Sequence, residues 1–551
     1  VQLSEFNDAT FVDMVDSFID EYLQMYPSRA TYIGIHKFDH LLENVSQAAI
    51  DDFIEKEKEY LHLCESFEAE GSLNKESQID LEILTGILRA DPVYHQVFKR
   101  YFRDPSLYIN LITSSCHILW LRDFADKEQR YAALVSRLKA IPELLSEAKE
   151  NLRKADFIPE IWLEVARDMA DSAGIFFSGT IGAISGEVPS LKNELLAASD
   201  LTIKVVKDYR RFLDDELSAK PDGSFAAGRK LYELLLKEIH MLPYTSNELE
   251  QIGLDYIDKT TNRLNELNNE VNPGKSWPEV IEEIKNDYPA AEELLDYYKK
   301  EVAATRRFIM EREIVSVPDN EMLELMETPA FMRALLPYAA YMMPAPFEAD
   351  QTGFFWVTPV DRSASDDKKR EQLSGHSRSA ITVRSLHEGY PGHHLQLCHA
   401  NLIKSKIRRI FRTSVFAEGW ALYCEDLMRE TGFYRDKRIE LMQLKDQLWR
   451  SCRVVLDVRL HAGECTFDEA VTMLVNTARL ENSNARAEVR RYTQTPTQPM
   501  SYLMGKIEIE KLLRDIRFQS PDMPIRDIHN RLLSYGTIPV TLVRQAMLGT
   551  N

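Results

Sequence analysis

Two short runs hold the residue types that zinc-assisted hydrolysis uses: His387-Glu388-Gly389-Tyr390-Pro391-Gly392-His393-His394 and, further along the chain, Phe416-Ala417-Glu418-Gly419-Trp420. A hydrolytic zinc centre takes two neutral imidazoles and usually a carboxylate as ligands. It leaves one position open for water and keeps a second carboxylate nearby to accept a proton. His387, either His393 or His394, and Glu418 match such a ligand set, and Glu388 matches the base.

The spacing constrains how these residues can meet. In an H-E-x-x-H helix the histidines stand four residues apart and about 40° from alignment, so both face one ion. Here the fourth position after His387 is Pro391, which has no N–H to donate and whose ring clashes with the preceding turn. Gly389 and Gly392 weaken the helix further. On an unbroken helix His393 would point roughly 120° away from His387, and His394 would lie nearly in line but about 10 Å further along the axis. Neither could then share an ion with His387. The metal reading therefore requires a bulge or loop over Gly389 to Gly392 that takes up two or three residues before the helix resumes. Spacing alone leaves His393 and His394 as alternatives. Packed or solvated histidines are the ordinary competitor, but they leave three histidines and a glutamate crowded around two glycines and a proline without a reason.

The second run supports the first. Thr413 to Arg429 reads as a helix with Phe416, Trp420, Tyr423 and Leu427 along one stripe and Gly432 as its stop. Glu418 lies on the opposite side with Val415 and Leu422. A helix apolar on both sides is a buried one, where an unpaired carboxylate is costly and a cation would remove the cost. Glu425, two turns on, faces the same way. It reads either as a carboxylate behind the ligands or as a solvated group beside Asp426.

At these residues the chain resembles a known family. The pattern H-E-x-x-P-G-H-H-x-Q from His387 to Gln396, with F-x-E-G-W-A-L-Y from Phe416 to Tyr423, is similar to domain-of-unknown-function family 885, whose members are similar to the gluzincin zinc metallopeptidases. The resemblance runs from about Gly228 to the C-terminus and less sharply before it. It implies His393 rather than His394 as the second ligand, one zinc ion, and a cleft between helical lobes. Two further segments resemble the family: Val454 to His461, ending D-x-x-x-H, and Glu488 to Tyr492 with Ser501 to Gly505. An oxyanion needs hydrogen-bond donors and a substrate carboxylate needs a forked cation, so Tyr502 and Arg491 are the candidates for these roles. Tyr492, His461 and His394 are further candidates for substrate contact. Core packing, a satisfied core histidine and a surface ion pair are the plain alternatives.

The rest of the chain bounds the class. Long amphipathic stretches such as Phe11 to Tyr26, Tyr131 to Ala155 and Ala226 to His240 predict a mainly α fold with a small β element beside the site, and the family resemblance implies that this fold is large and two-lobed. The best strand-like runs are Phe354 to Thr358 and Ala380 to Val383, and Ser363 to Ser379 reads as the longest loop, a solvated segment that could cover the site. Turn clusters at Lys220-Pro221-Asp222-Gly223-Ser224 and Asn272-Pro273-Gly274-Lys275 suggest an N-terminal helical region over 1–225 and a catalytic region over 226–551.

A net charge of −20 argues against nucleic acid, and no apolar run is long enough for a membrane span. Six scattered cysteines without C-x-x-C spacing indicate neither a thiolate zinc site nor a disulfide scaffold, and they fit a cytoplasmic setting, with an already removed signal segment as the alternative. The expectation is a zinc metallohydrolase, most simply a peptidase acting on a peptide or small amide. The alternatives are an amide or ester hydrolase of a non-peptide metabolite and a non-catalytic helical metal-binding protein.

Overall fold

The computed structural model describes residues 5–328, 333, 336 and 338–549. The protein is mainly α-helical with one small three-stranded sheet. It divides into two compact units, Val1–Ala227 with Ala345–Asp350, and Gly228–Pro344 with Gln351–Asn551.

The first unit is built from long amphipathic helices. Asp8–Met25 opens on a capping box in which Asn7 and Thr10 satisfy each other's backbone donors. Lys127–Arg153 and Glu160–Ile184 both pack on Lys192–Asp215, and Leu138, Ile141, Phe177 and Val206 on these helices are buried. The segment Ala345–Asp350 joins this unit through a hydrogen bond from Phe347 N–H to the Ile33 carbonyl, 3.0 Å.

The second unit carries every candidate site residue. Ser246–Val271, capped by Thr245 and Glu248, lies along the 26-residue helix Lys437–Ala462, which Asp436 caps at its start and Gly463 ends with φ 75°. Ser414–Glu430, capped by Thr413, crosses Ser501–Gln519 at very close range. A Cβ on Gly419 would stand 2.3 Å from the Gly505 carbonyl carbon, and one on Gly505 would stand 1.8 Å from the Val415 oxygen, so the crossing needs glycine on both helices. Val415, Val454, Leu503, Met504 and Leu249 form the core around it. The crossing sets Tyr502 beside Glu418. Asp457 fixes the start of the second helix by accepting the N–H groups of Thr497 (3.2 Å) and Met500 (3.1 Å).

The sheet has β3 (Thr352–Val357) in the middle, parallel to β1 (Met322–Glu327) and antiparallel to β2 (Ala339–Met342). Leu325 and Tyr341 both lie opposite Phe355. Phe354 to Thr358 thus falls largely within the central strand. Ala380 to Val383 does not form a strand. It lies inside the helix Arg378–Glu388, because Ser377 caps the Ala380 N–H and the β-branched side chains bury against Leu294–Glu311, with Thr382 bonded to Glu301 at 3.0 Å. The predicted loop Ser363 to Ser379 is also not loop throughout. Ser365 caps a helix, Asp366–Ser374, that has no buried residue. No described helix is long and apolar enough to cross a membrane, and all six cysteines are free.

Candidate metal centre

The helix Arg378–Glu388 ends one residue after His387. Gly389 N–H still donates to the Ser385 carbonyl, 3.0 Å, and then the chain turns out of the helix. Gly392 N–H reaches back to the Leu386 carbonyl, 3.0 Å, and a new helix, His393–Asn401, begins at once. The extra residues of the motif are absorbed in this loop. Its last residue must be glycine, since a Cβ there would meet the His387 oxygen at 1.9 Å and the Leu386 oxygen at 2.4 Å. Trp420 Nε1 donates to the Pro391 carbonyl at 2.8 Å and ties the loop to the helix that carries Glu418.

The turn brings His387 and His393 face to edge, ring centroids 4.8 Å apart and planes at 87°. His393 Nε2 is 3.1 Å from Glu418 Oε2, and His387 Nε2 is 3.9 Å from the same oxygen. One donor atom from each of the three residues lies within 4.8 Å of the others. Tetrahedral zinc with bonds of about 2.0–2.1 Å sets its ligand atoms about 3.3 Å apart, so small side-chain adjustments would close this N,N,O set on one ion. The donor chemistry fits zinc.

The surroundings hold the set in place. His387 Nδ1 is bonded to Glu425 Oε1 at 2.8 Å, which fixes the ring and leaves Nε2 toward Glu418. Burial pushes the Glu425 carboxyl up to about 8, and its second oxygen has no partner. Burial also holds His387 well below the usual imidazole range, with the neighbouring His393 adding to the effect. For His393 burial works the other way from its neighbours, and the carboxylates of Glu418, Glu388 and Glu425 outweigh it, raising the imidazole to about 9. Glu418 is lowered despite its burial, because His393, Arg453 and the Tyr502 hydroxyl stabilise its charge. The Tyr502 ring lies nearly parallel to that of His387, centroids 6.4 Å apart. Glu388 is half-buried, and burial raises its carboxyl, with His393 opposing, Glu418 contributing and Arg384 opposing more weakly. Such a carboxylate holds a proton more firmly than a surface glutamate.

The model of a family described as bacterial protein of unknown function (DUF885) matches residues 27–547. The chain belongs to this family. The match extends over the N-terminal unit, where the motifs read from the sequence gave little sign of it. Among curated proteins none matches. Two solved structures share the fold of this DUF885 chain. One is a protein of unknown function from Shewanella oneidensis described as a candidate lipoprotein, 22% identical, TM-score 0.80, with 98% of this chain and 99% of that one covered. The other, a candidate lipoprotein from Colwellia psychrerythraea, is 17% identical with a TM-score of 0.82 and 97% of each chain covered.

The remaining sequence-predicted residues of the DUF885 chain are placed differently. His394 turns away from His387 and is fully buried, its Nε2 2.7 Å from Glu321 and its Nδ1 3.1 Å from the Tyr341 hydroxyl. It joins the new helix to the sheet and leaves no face for substrate. His461 is likewise buried: its Nε2 donates to the Tyr492 carbonyl, 3.0 Å, and burial lowers its imidazole to about 4. Tyr492 is buried too, and its hydroxyl accepts hydrogen bonds from Arg453 Nε (2.9 Å) and Trp449 Nε1 (3.2 Å). The polar atoms of these three residues are held by neighbours within the fold. Arg491 donates to Gln498 (2.5 Å) and Glu488 (2.9 Å).

Sequence reasoning missed Arg384, Arg450 and Arg453, whose charges act on His387, and Glu321, which holds His394. The available signal was an arginine within Ser451-Cys452-Arg453-Val454-Val455, on a helix apolar around most of its circumference, where a charge must find partners.

Proposed function

We propose that this DUF885 protein is a zinc-dependent hydrolase of the gluzincin type, most simply a peptidase. The observation that carries the reading is the meeting of His387, His393 and Glu418 around one point, with Glu388 on the residue next to a ligand and Tyr502 bonded to another. His387, His393 and Glu418 would hold a zinc ion, which would supply Lewis-acid polarisation of a carbonyl and acidify water. Glu388 takes a proton from the attacking water and returns it to the leaving amine, a shuttle favoured by its raised pKa. Tyr502 donates its hydroxyl hydrogen bond to the developing oxyanion, releasing Glu418 as it does so. Glu425 keeps His387 in the required orientation. A purely structural site would have no need of a base beside it, which favours catalysis over a metal-stabilised binding protein. The description of the two solved neighbours as candidate lipoproteins favours an envelope or secreted setting over a cytoplasmic one.

A panel of short peptides, small amides and esters tests the reading with the zinc-loaded protein. Peptide cleavage that a chelator abolishes and zinc restores is expected. Turnover confined to amides or esters would move the substrate to a non-peptide metabolite. Stoichiometric zinc with no turnover on any member would overturn the enzyme reading.

A further inference from the structure

Arg453 sits in the apolar middle of Lys437–Ala462 and is only 4% exposed. Its guanidinium lies between two rings, Cζ 4.2 Å from the Trp449 centroid and 4.5 Å from that of Tyr502. Nε donates to the Tyr492 hydroxyl at 2.9 Å and Nη2 to Glu488 at 3.0 Å, so the side edge of the fork is filled. Nη1 is buried and has no partner. Leaving charged donors unmade in a buried place is expensive and is tolerated where a ligand makes them. Arg450, one turn earlier, stands 5.0 Å from the Trp449 ring and 5.9 Å from the Tyr502 ring, and its Nε also lacks a partner.

In the direct ion pairs here cations outnumber carboxylates. Glu488 is shared by Arg453 and Arg491, and Asp446, 3.7 Å from Arg450, is shared with Lys445. Both Arg453 and Arg450 lie against the ring of Tyr502, whose hydroxyl reaches Glu418. Resting on the hydrolase reading, we infer that Arg453 Nη1, with Arg450 beside it, receives the C-terminal carboxylate of a short peptide. Tyr492, Glu488 and the two rings are the device that holds the fork rigid for that anion. From Arg453 across the Tyr502 ring to Glu418 is a path of about 10 Å at most, the reach of no more than three extended residues. The protein is therefore a C-terminal exopeptidase or dipeptidase, releasing one to three residues.

The test compares N-blocked peptides with uncharged side chains that end in a free carboxylate or in a carboxamide. The zinc-loaded wild type should prefer the acids by at least about a hundredfold in kcat/KM, the scale of a charged, buried hydrogen-bonded contact. Arg453→Lys, which keeps the charge and loses the fork, should reduce that preference to under tenfold in protein that still unfolds cooperatively and holds one equivalent of zinc, whereas a purely structural role would lower the rates on acids and amides alike and leave the ratio unmoved. Arg450→Gln gives the same reading should Arg453→Lys fail to fold. Calorimetric titration with N-acetylphenylalanine and its amide checks binding without turnover, and the acid should bind at least about tenfold tighter in an Arg453-dependent way. Equal treatment of acids and amides by the wild type in both measurements would overturn the inference while leaving the hydrolase reading intact. No cleavage of any peptide, with the acid still bound through Arg453, would sink the hydrolase reading and keep the anion site. Amide peptides rescued by an internal glutamate to the rate of the acids would overturn the terminal carboxylate as the anion.

Discussion

Alanine at Gly392 would place its Cβ 1.9 Å from the His387 carbonyl oxygen and 2.4 Å from that of Leu386. The first contact is about 1.5 Å short of the 3.4 Å at which ordinary contact begins, and both opposing atoms are backbone of the helix that carries His387. No rotamer relieves the overlap, so the loop and the helix starting at His393 must move by about that amount. Metal ligands tolerate errors of about 0.2 Å. The displacement would therefore take His393 Nε2 out of reach of an ion on His387 and Glu418. Zinc affinity of Gly392→Ala, titrated against a chromophoric chelator, should fall at least about a hundredfold, beyond the usual cost of disturbing a residue behind a ligand. A melting curve by circular dichroism run alongside must show that the protein still unfolds cooperatively. A folded Gly392→Ala protein that binds zinc within threefold of wild type would refute the reasoning, because the turn would then not be what brings the two histidines together.

The other expectations concern single side chains. Glu388→Gln should keep one equivalent of zinc and lower turnover at least about a hundredfold, and activity within a few-fold of wild type would remove Glu388 as the base. His393→Ala should lose the metal, whereas His394→Ala should keep it and lose about 2–3 kcal/mol of stability in urea unfolding, since Glu321 is left buried without its imidazole partner; the opposite pattern of metal loss would move the ligand role to His394. Zinc affinity should weaken as pH falls from about 9, by up to about tenfold per unit, because the ion must displace the proton that Glu418, Glu388 and Glu425 hold on His393 in the metal-free protein. An affinity that is flat from pH 6 to 8 would contradict that placement of the proton.

The sequence made legible what local chemistry dictates. Pro391 breaks a helix and Gly389 and Gly392 weaken it, so the break between His387 and His393 followed from residue type. The helix that carries Glu418 followed from its stripe and its stops. Choosing His393 over His394 needed the family resemblance, because the tie is broken by Glu321, 73 positions from His394 in the chain. Ile381, Thr382 and Val383 read as a strand from their side-chain branching, and packing against Leu294–Glu311 overrode that preference. His461 and Tyr492 stood out in the sequence by residue type and motif alone. Both carry polar groups that the fold consumes internally, one on a carbonyl and one on Arg453, and no local pattern distinguishes such use from contact with a substrate. Arg453 itself was invisible, since its meaning depends on Glu488, Tyr492 and Tyr502, which only tertiary packing assembles.

The central claim is that His387, His393 and Glu418 hold one zinc ion. Anomalous diffraction above the zinc absorption edge, from crystals of protein purified without chelator and supplied with one equivalent of zinc, tests it most directly. The account predicts one strong peak in the second unit, about 2.0–2.2 Å from His387 Nε2, His393 Nε2 and a Glu418 oxygen, with His394 still on Glu321. A protein that takes up no zinc, or a peak coordinated by other residues, would contradict it.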